Sequence, residues 1–340
     1  MSSRTRDRVS LFFVDSPLAR EQVDYAKYAE QKGFEAIWIC ETRMARDAIS
    51  ILGAIAYVTK KIKLGSAVIN CWSRIAPLIA LTWATLDEMA PGRTILGIGA
   101  WWDPLASKAG VERNKPLTRM RDYVTIMRRL LNLKTVTYRG ESAQVRDLYL
   151  DLGHGVPRKP KNVPIMIGAT GFKMLELAGE IGDGVILNFF LSPEYNRKAV
   201  QAIEKGVAKS GRKINQIDRP QLIACSMNDD ADKALNNIRY MVTMYLGQQP
   251  HIMKASGVKP SLIKEINRTL GGWPPKQEGL EKATLLVDDK IVQLLTASGT
   301  PDDCRKKVRE YVKAGTTLPM ICPIGENIRE MVDVFADGYM

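Results

Sequence analysis

Eight apolar runs of strand length recur along the chain, and stretches with helical spacing separate most of them. The runs are 9–14, 36–40, 64–69, 95–99, 164–168, 184–187, 221–227 and 318–322. Helical spacing covers 20–32, 47–58, 76–89, 117–133, 171–181, 193–209, 231–246, 301–314 and 327–336. The block from Lys63 to Asp103 holds the pattern in one piece: LGSAVIN, a helix from Ala76 to Met89, a stop at Pro91-Gly92, then TILGIGA running out into Trp101-Trp102-Asp103. A buried strand, a helix and a second buried strand make a parallel β-α-β unit. Eight of them predict an α/β fold, a (β/α)8 TIM barrel. The rival, a doubly wound open sheet, calls for G-x-G-x-x-G after the first strand, which is not there. The length suits one barrel domain over 1–340. Insertions are expected after strand 4 at about 134–162, with a hairpin from TVTY and LYLDL, and after strand 7 at about 247–290.

Composition narrows the function classes. Hydrophobic residues make up 45% and charged residues 25%, as in ordinary globular chains. No apolar run reaches membrane-spanning length, and the basic N-terminus has no apolar core of a secretory signal. Five cysteines without CxxC spacing, most beside apolar strand-like runs, read as buried thiols of a reducing cytoplasm. With two histidines, His154 and His251, far apart in the insertions, neither a zinc site nor a Ser-His-Asp or Cys-His arrangement is expected. The net charge of +12 is spread over pairs and triplets such as Arg128-Arg129 and Arg305-Lys306-Lys307. Nucleic-acid binding would show as a basic stripe with aromatics. The balance points instead to a small polyanionic ligand.

In a barrel, the residues just after each strand build the site. Here they include Asp15, Glu41-Thr42-Arg43, Asn70-Cys71-Trp72, Trp101-Trp102-Asp103, Gly168-Ala169-Thr170-Gly171 and Asn188-Phe189-Phe190. Carboxylates, small-residue turns and aromatics together suit a flat anionic ligand. GATG opens the helix FKMLELAGEI, where backbone N–H groups and the helix dipole favour a phosphate and Lys173 adds a charge. The alternative is that these glycines only make a tight turn. Glu41 and Asp103 are candidate proton donors, and Asp15 is a third carboxylate. The alternatives are ion pairs, of Glu41 with Arg43 or Arg46 and of Asp15 with Arg20.

The segments GFEAIWICE, the Lys63–Trp101 block, PIMIGATGFKMLELAGEIGDGVILN and SGTPDDCRKKVREYVKAG resemble, in order, the bacterial luciferase-like family and its deazaflavin-dependent branch. Within that branch the likeness is strongest to the methylenetetrahydromethanopterin reductases. The resemblance implies a barrel that binds coenzyme F420 at its strand ends and passes a hydride between the deazaflavin C5 and a substrate carbon, with a C1-pterin as the leading substrate. It implies a non-prolyl cis peptide at Ala67–Val68 behind the ring, Asn70 at its edge, and the cofactor phosphate at the turn Gly168, Ala169, Thr170 and Gly171, close to the charge of Lys173. The polyglutamyl tail of coenzyme F420 would fit the basic balance. Departures fall on the substrate side. A first-strand Glu of the reductases matches Phe12, their Asp-His-like pair matches Glu41-Thr42, and their acidic residue after the fourth strand matches Trp102, with Trp101 and Asp103 beside it. The sugar-phosphate dehydrogenases of the branch carry a His where this chain has Glu41-Thr42, which argues against that activity. Two other readings remain: an FMN-dependent luciferase-like monooxygenase, and a non-catalytic cofactor-binding barrel. The resemblance also implies a homodimer or larger homo-oligomer.

Overall fold

The strands β1 (Ser10–Phe13), β2 (Ala36–Ile39) and β3 (Lys63–Ser66) alternate with α1 (Ala19–Gln31) and α2 (Ala48–Val58) in a computed structural model that describes residues 7–41, 43–153, 159–272 and 274–340. After a two-residue break, β4 (Ile69–Asn70) continues the line of β3, and α3 (Ala76–Met89) leads to β5 (Thr94–Gly99). Next come α4 (Leu105–Lys108), α5 (Pro116–Leu131), the antiparallel hairpin β6 (Val136–Arg139) and β7 (Gln144–Leu148), then β8 (Ile165–Ala169), α6 (Phe172–Ile181), β9 (Gly184–Leu187) and α7 (Pro193–Lys209). The remainder holds β10 (Pro220–Met227), α8 (Ala231–Gln248), α9 (Pro250–Ala255), α10 (Pro260–Leu270), α11 (Gln277–Thr284) and α12 (Asp289–Leu295). It ends with β11 (Ala297–Gly299), α13 (Pro301–Lys313), β12 (Leu318–Pro323) and α14 (Ile328–Ala336).

Strand order in the main sheet is β11-β10-β12-β1-β2-β3-β5-β8-β9, and β9 also pairs with β10. The eight expected strands thus close into a parallel barrel, the predicted (β/α)8 fold. Three details differ from expectation. The third strand is not continuous over 64–69, because the cis peptide bond Ala67–Val68 interrupts it. The second hairpin strand is Gln144–Leu148, earlier than LYLDL, where its register with 136–139 places the turn at 140–143. The short strand β11 went unread, since three residues are too few for a periodic signal; it pairs with the last residues of β10.

By contacts the chain divides into two compact units whose boundaries run through β1 and near the end of β9. One comprises Phe12–Ile186 and Ala202–Asp218. Its barrel strands are apolar on both faces, as a sheet covered by helices requires, with Phe12, Phe13, Ile37 and Trp38 fully buried, as is Trp83 of α3. Burying each such side chain contributes about 1.5–3 kcal/mol. The other comprises Leu187–Gln201, Arg219–Met340 and the N-terminal residues up to Leu11. It buries Tyr195, Tyr311 and Phe335, and the buried polar side chains of Asn196, Gln221 and Thr316 satisfy one another. Among the described residues no helix is long and apolar enough to cross a membrane, and no group of His, Cys, Asp and Glu could hold a metal ion.

Candidate functional site

The strand-end residues from Phe12 to Lys173 all lie in the unit built on Phe12–Ile186, and Asn188, Phe189 and Phe190 belong to the other. Register brings several of them into one row. The Glu41 N–H donates to the Val68 carbonyl at 3.3 Å, Asn70 pairs with Gly99, and Gly99 pairs with Gly168. The cis peptide sits where the family resemblance puts it. Its Val68 side chain lies over both glycines: a Cβ on Gly99 would stand 2.6 Å from Val68 Cγ2, and one on Gly168 2.8 Å from Val68 Cγ1. Those distances are impossible contacts, so the two glycines are the seat for Val68. This is a packing reason for the first glycine of GATG. Gly171 is different, since nothing lies within 4 Å of where its Cβ would be. It is the N-cap of α6, and having no side chain it leaves the first N–H groups of that helix without a side-chain cap. Lys173 is exposed in the first turn.

Asn70 is buried, and its Oδ1 accepts the N–H groups of Trp72 at 2.9 Å and Ser73 at 2.8 Å. That fixes the amide orientation and leaves Nδ2 as the donor it can present. Trp72 Nε1 donates to the Ala100 carbonyl at 2.9 Å. Trp101 follows with a left-handed φ of 57°, and its buried Nε1 has no hydrogen-bond partner among the described residues. Asp15 Oδ1 is likewise buried and has none among them. Phe12 is fully buried within β1.

Each expected carboxylate comes with an arginine. Asp15 pairs with Arg43 rather than Arg20. Glu41 pairs with neither Arg43 nor Arg46. Arg74 reaches it from the loop before α3, with Nη1 2.7 Å from Oε2 and Nη2 2.9 Å from Oε1, and the same Nη2 reaches Asp47 at 2.8 Å. Hydrogen bonding to Glu41 is the main reason the Arg74 guanidinium holds its proton more firmly than usual. Asp103 pairs with Arg113 at 2.7 Å, accepts the Ser107 N–H at 3.3 Å, and is half-exposed. Sequence reasoning missed Arg74 and Arg113 because pairing across 33 and 10 positions leaves no periodic trace. Burial pushes the thiols of Cys40 and Cys71, at the ends of β2 and β4, up to about 12, which makes them inert packing groups. Thr42 and His154 lie outside the described residues. Of the other strand-end residues, Asn188 bonds the Tyr245 hydroxyl, and Phe189 and Phe190 stack with that ring at 4.9 and 5.0 Å.

A barrel with a backed, glycine-seated bulge, an uncapped helix N-terminus and orphan polar atoms at its strand ends belongs to the class that binds an organic cofactor there. The chain belongs to the luciferase-like monooxygenase family, whose model matches residues 9–318. It is 33% identical over 314 residues to a 5,10-methylenetetrahydromethanopterin reductase of Archaeoglobus fulgidus, covering 91% of this chain and 92% of that one. It is 32% identical over 317 residues to the enzyme of the same name from Methanolobus tindarius, covering 93% and 94%. In structure it is similar to the coenzyme F420-dependent tetrahydromethanopterin reductase from Methanopyrus kandleri, with a TM-score of 0.86, 25% identity and 98% of both chains covered.

Proposed function

We infer that this protein is a coenzyme F420-dependent oxidoreductase of the methylenetetrahydromethanopterin reductase type, acting on a C1-pterin or a close chemical relative. The observation that carries the reading is the row of Ala67–Val68, Asn70, Gly99 and Gly168, placed beside the uncapped start of α6 in a chain alike over nine-tenths of its length to such reductases.

The residues present fit the cofactor. Ala67 and Val68 would back its ring with an apolar surface, Asn70 Nδ2 would supply a donor, and the start of α6 after Gly171, with Lys173, would suit its phosphate. When bound, the deazaflavin supplies the hydride. The chain's own part is to orient and to handle charge. Trp101 and Trp102 are assigned to the substrate side, where Trp101 Nε1 would serve as a donor; Asp15 Oδ1 is a buried acceptor at the end of the first strand. Reduction of a carbon held between two nitrogens breaks one C–N bond, and the leaving nitrogen takes up a proton. We assign delivery of that proton to Asp103, which is held by Arg113 through one oxygen only and is half-exposed, whereas Glu41 is largely buried. Glu41, with both oxygens on Arg74, supplies fixed charge instead. Buried free cysteines fit a reducing cytoplasm, and a homo-oligomer is the expected assembly.

Mixing the protein with reduced coenzyme F420 and methylenetetrahydromethanopterin is expected to restore the absorbance of the oxidised deazaflavin. Tight binding of FMN with no response to coenzyme F420 would move the protein to the oxygen-using side of its family.

A further inference from the structure

We propose that Arg119 is a positioning residue that ties the Asn70–Trp72 turn to the Ala100–Asp103 segment; this rests on reading the strand-end row as the site. Arg119 belongs to α5 and touches none of the groups assigned to cofactor or substrate. Its Nε donates to the Cys71 carbonyl at 2.8 Å, and its Nη2 to the Tyr123 hydroxyl at 2.5 Å. Its guanidinium lies over two rings, 4.4 Å from the Trp72 centroid and 4.6 Å from that of Tyr123. A planar fork stacked on aromatic rings and bonded through two nitrogens has little freedom to turn.

What it holds still matters to both halves of the site. Trp72 gives its backbone N–H to Asn70 Oδ1 and its Nε1 to the Ala100 carbonyl. That carbonyl takes a second bond from Arg113 Nε at 2.8 Å, and Arg113 Nη1 binds Asp103. One line of contacts therefore runs Asn70, Trp72, Ala100, Arg113, Asp103, with Arg119 clamped on its second member. Nη1 of Arg119 also reaches the Ser142 carbonyl at 3.4 Å. Ser142 is in the turn of the β6–β7 hairpin, whose N–H groups at 142 and 143 bind the buried Asp122. The insertion thus braces the site through the same helix.

Arg119→Lys keeps the charge over Trp72 but cannot reach Cys71 and Tyr123 together. Full-length protein carrying R119K, Trp72→Phe, or both is compared with wild type and with Arg121→Gln, a change on the same helix as Arg119 that removes a surface ion pair to Glu180 of α6. R119K and W72F are each expected to lower kcat/KM about tenfold, through kcat more than KM. The double variant should be no worse than the worse single, because both cut the same line. Arg121→Gln should turn over as wild type. Amide hydrogen exchange in R119K should speed up at residues 70–73 and 100–103 with little change elsewhere. Losses that multiply in the double variant, or wild-type exchange at those amides in R119K, overturn the proposal. Exchange needs no cofactor, so it decides the positioning role separately from a wild-type protein that fails to oxidise reduced coenzyme F420, which overturns only the functional reading.

Discussion

Arg74 grips Glu41 by two parallel hydrogen bonds, 2.7 and 2.9 Å long, with both side chains largely out of water. Paired charges of this geometry are strong when intact and costly when halved. Glu41→Gln and Arg74→Gln should each lower stability by about 1–3 kcal/mol. The double variant should lose less than the sum, as read from denaturant midpoints. Strict additivity would mean that the contact contributes nothing in solution.

The same grip separates the roles of the carboxylates. Asp103→Asn should lower kcat by about 10²-fold or more, the usual worth of a positioned acid, with the fold unaltered by circular dichroism. Glu41→Gln should act more on substrate and cofactor affinity. Equal loss of kcat in both would reassign the proton donor.

Gly99→Ala places a methyl 2.6 Å from Val68 Cγ2. Overpacking of this kind costs about 1–3 kcal/mol, and it should also weaken cofactor binding by pushing the bulge. The next atoms near that methyl, Val68 Cβ at 3.6 Å and the Gly168 carbonyl oxygen at 3.8 Å, are at ordinary contact distance, so adding Val68→Ala should restore much of the stability. Thermal melts of the single and double variants read this directly.

Trp101→Phe removes a buried donor that has no partner. Deleting an unsatisfied group is nearly neutral for stability. The melting temperature should hold, while KM for the substrate rises. A fall in stability without a change in KM would place the indole N–H in packing rather than recognition.

Asp47 couples the charge network to pH. Burial resists its ionisation, but hydrogen bonds from Ser50 and the charge of Arg74 outweigh that and hold the carboxyl below the ordinary range. A depressed folded-state value means its stabilisation is complete above the unfolded value near 4 and is lost as the pH falls through the native one. Asp47→Asn keeps a good N-cap for α2 while removing the charge. The variant should therefore lose stability at pH 7 and show a shallower acid limb below about pH 4. An unchanged acid limb would exclude Asp47 as a contributor.

The fold was legible because its signal is repetitive: the apolar strands, apart from the interrupted third, and their helices read within a residue or two, and α3 at Ala76–Met89 and α7 at Pro193–Lys209 to the residue. The positions of the strand ends followed from that count. What stayed hidden was the long-range pairing. Nothing near Glu41 points to Arg74, which lies 33 positions on. Nor does the pattern of α5 mark Arg119 as different from Arg121, although one faces the site and the other pairs at the surface. The Val68 bulge came from family resemblance, while its seat on Gly99 and Gly168 emerges only when three strands are aligned.

Pairing with arginine also sets the reach of the local field. A close ion pair acts as a dipole whose influence falls off faster than that of a lone charge, so Asp15–Arg43 and Asp103–Arg113 add little at long range, whereas Arg74 is shared by Glu41 and Asp47, a cluster that keeps one negative charge. The surplus of +12 is carried by other residues of the chain. Capture of a polyanion from solution then falls to those lysines and arginines and weakens with ionic strength, while the paired groups act at contact range, the largely buried Glu41–Arg74 pair being screened by salt less than the half-exposed Asp103–Arg113 pair.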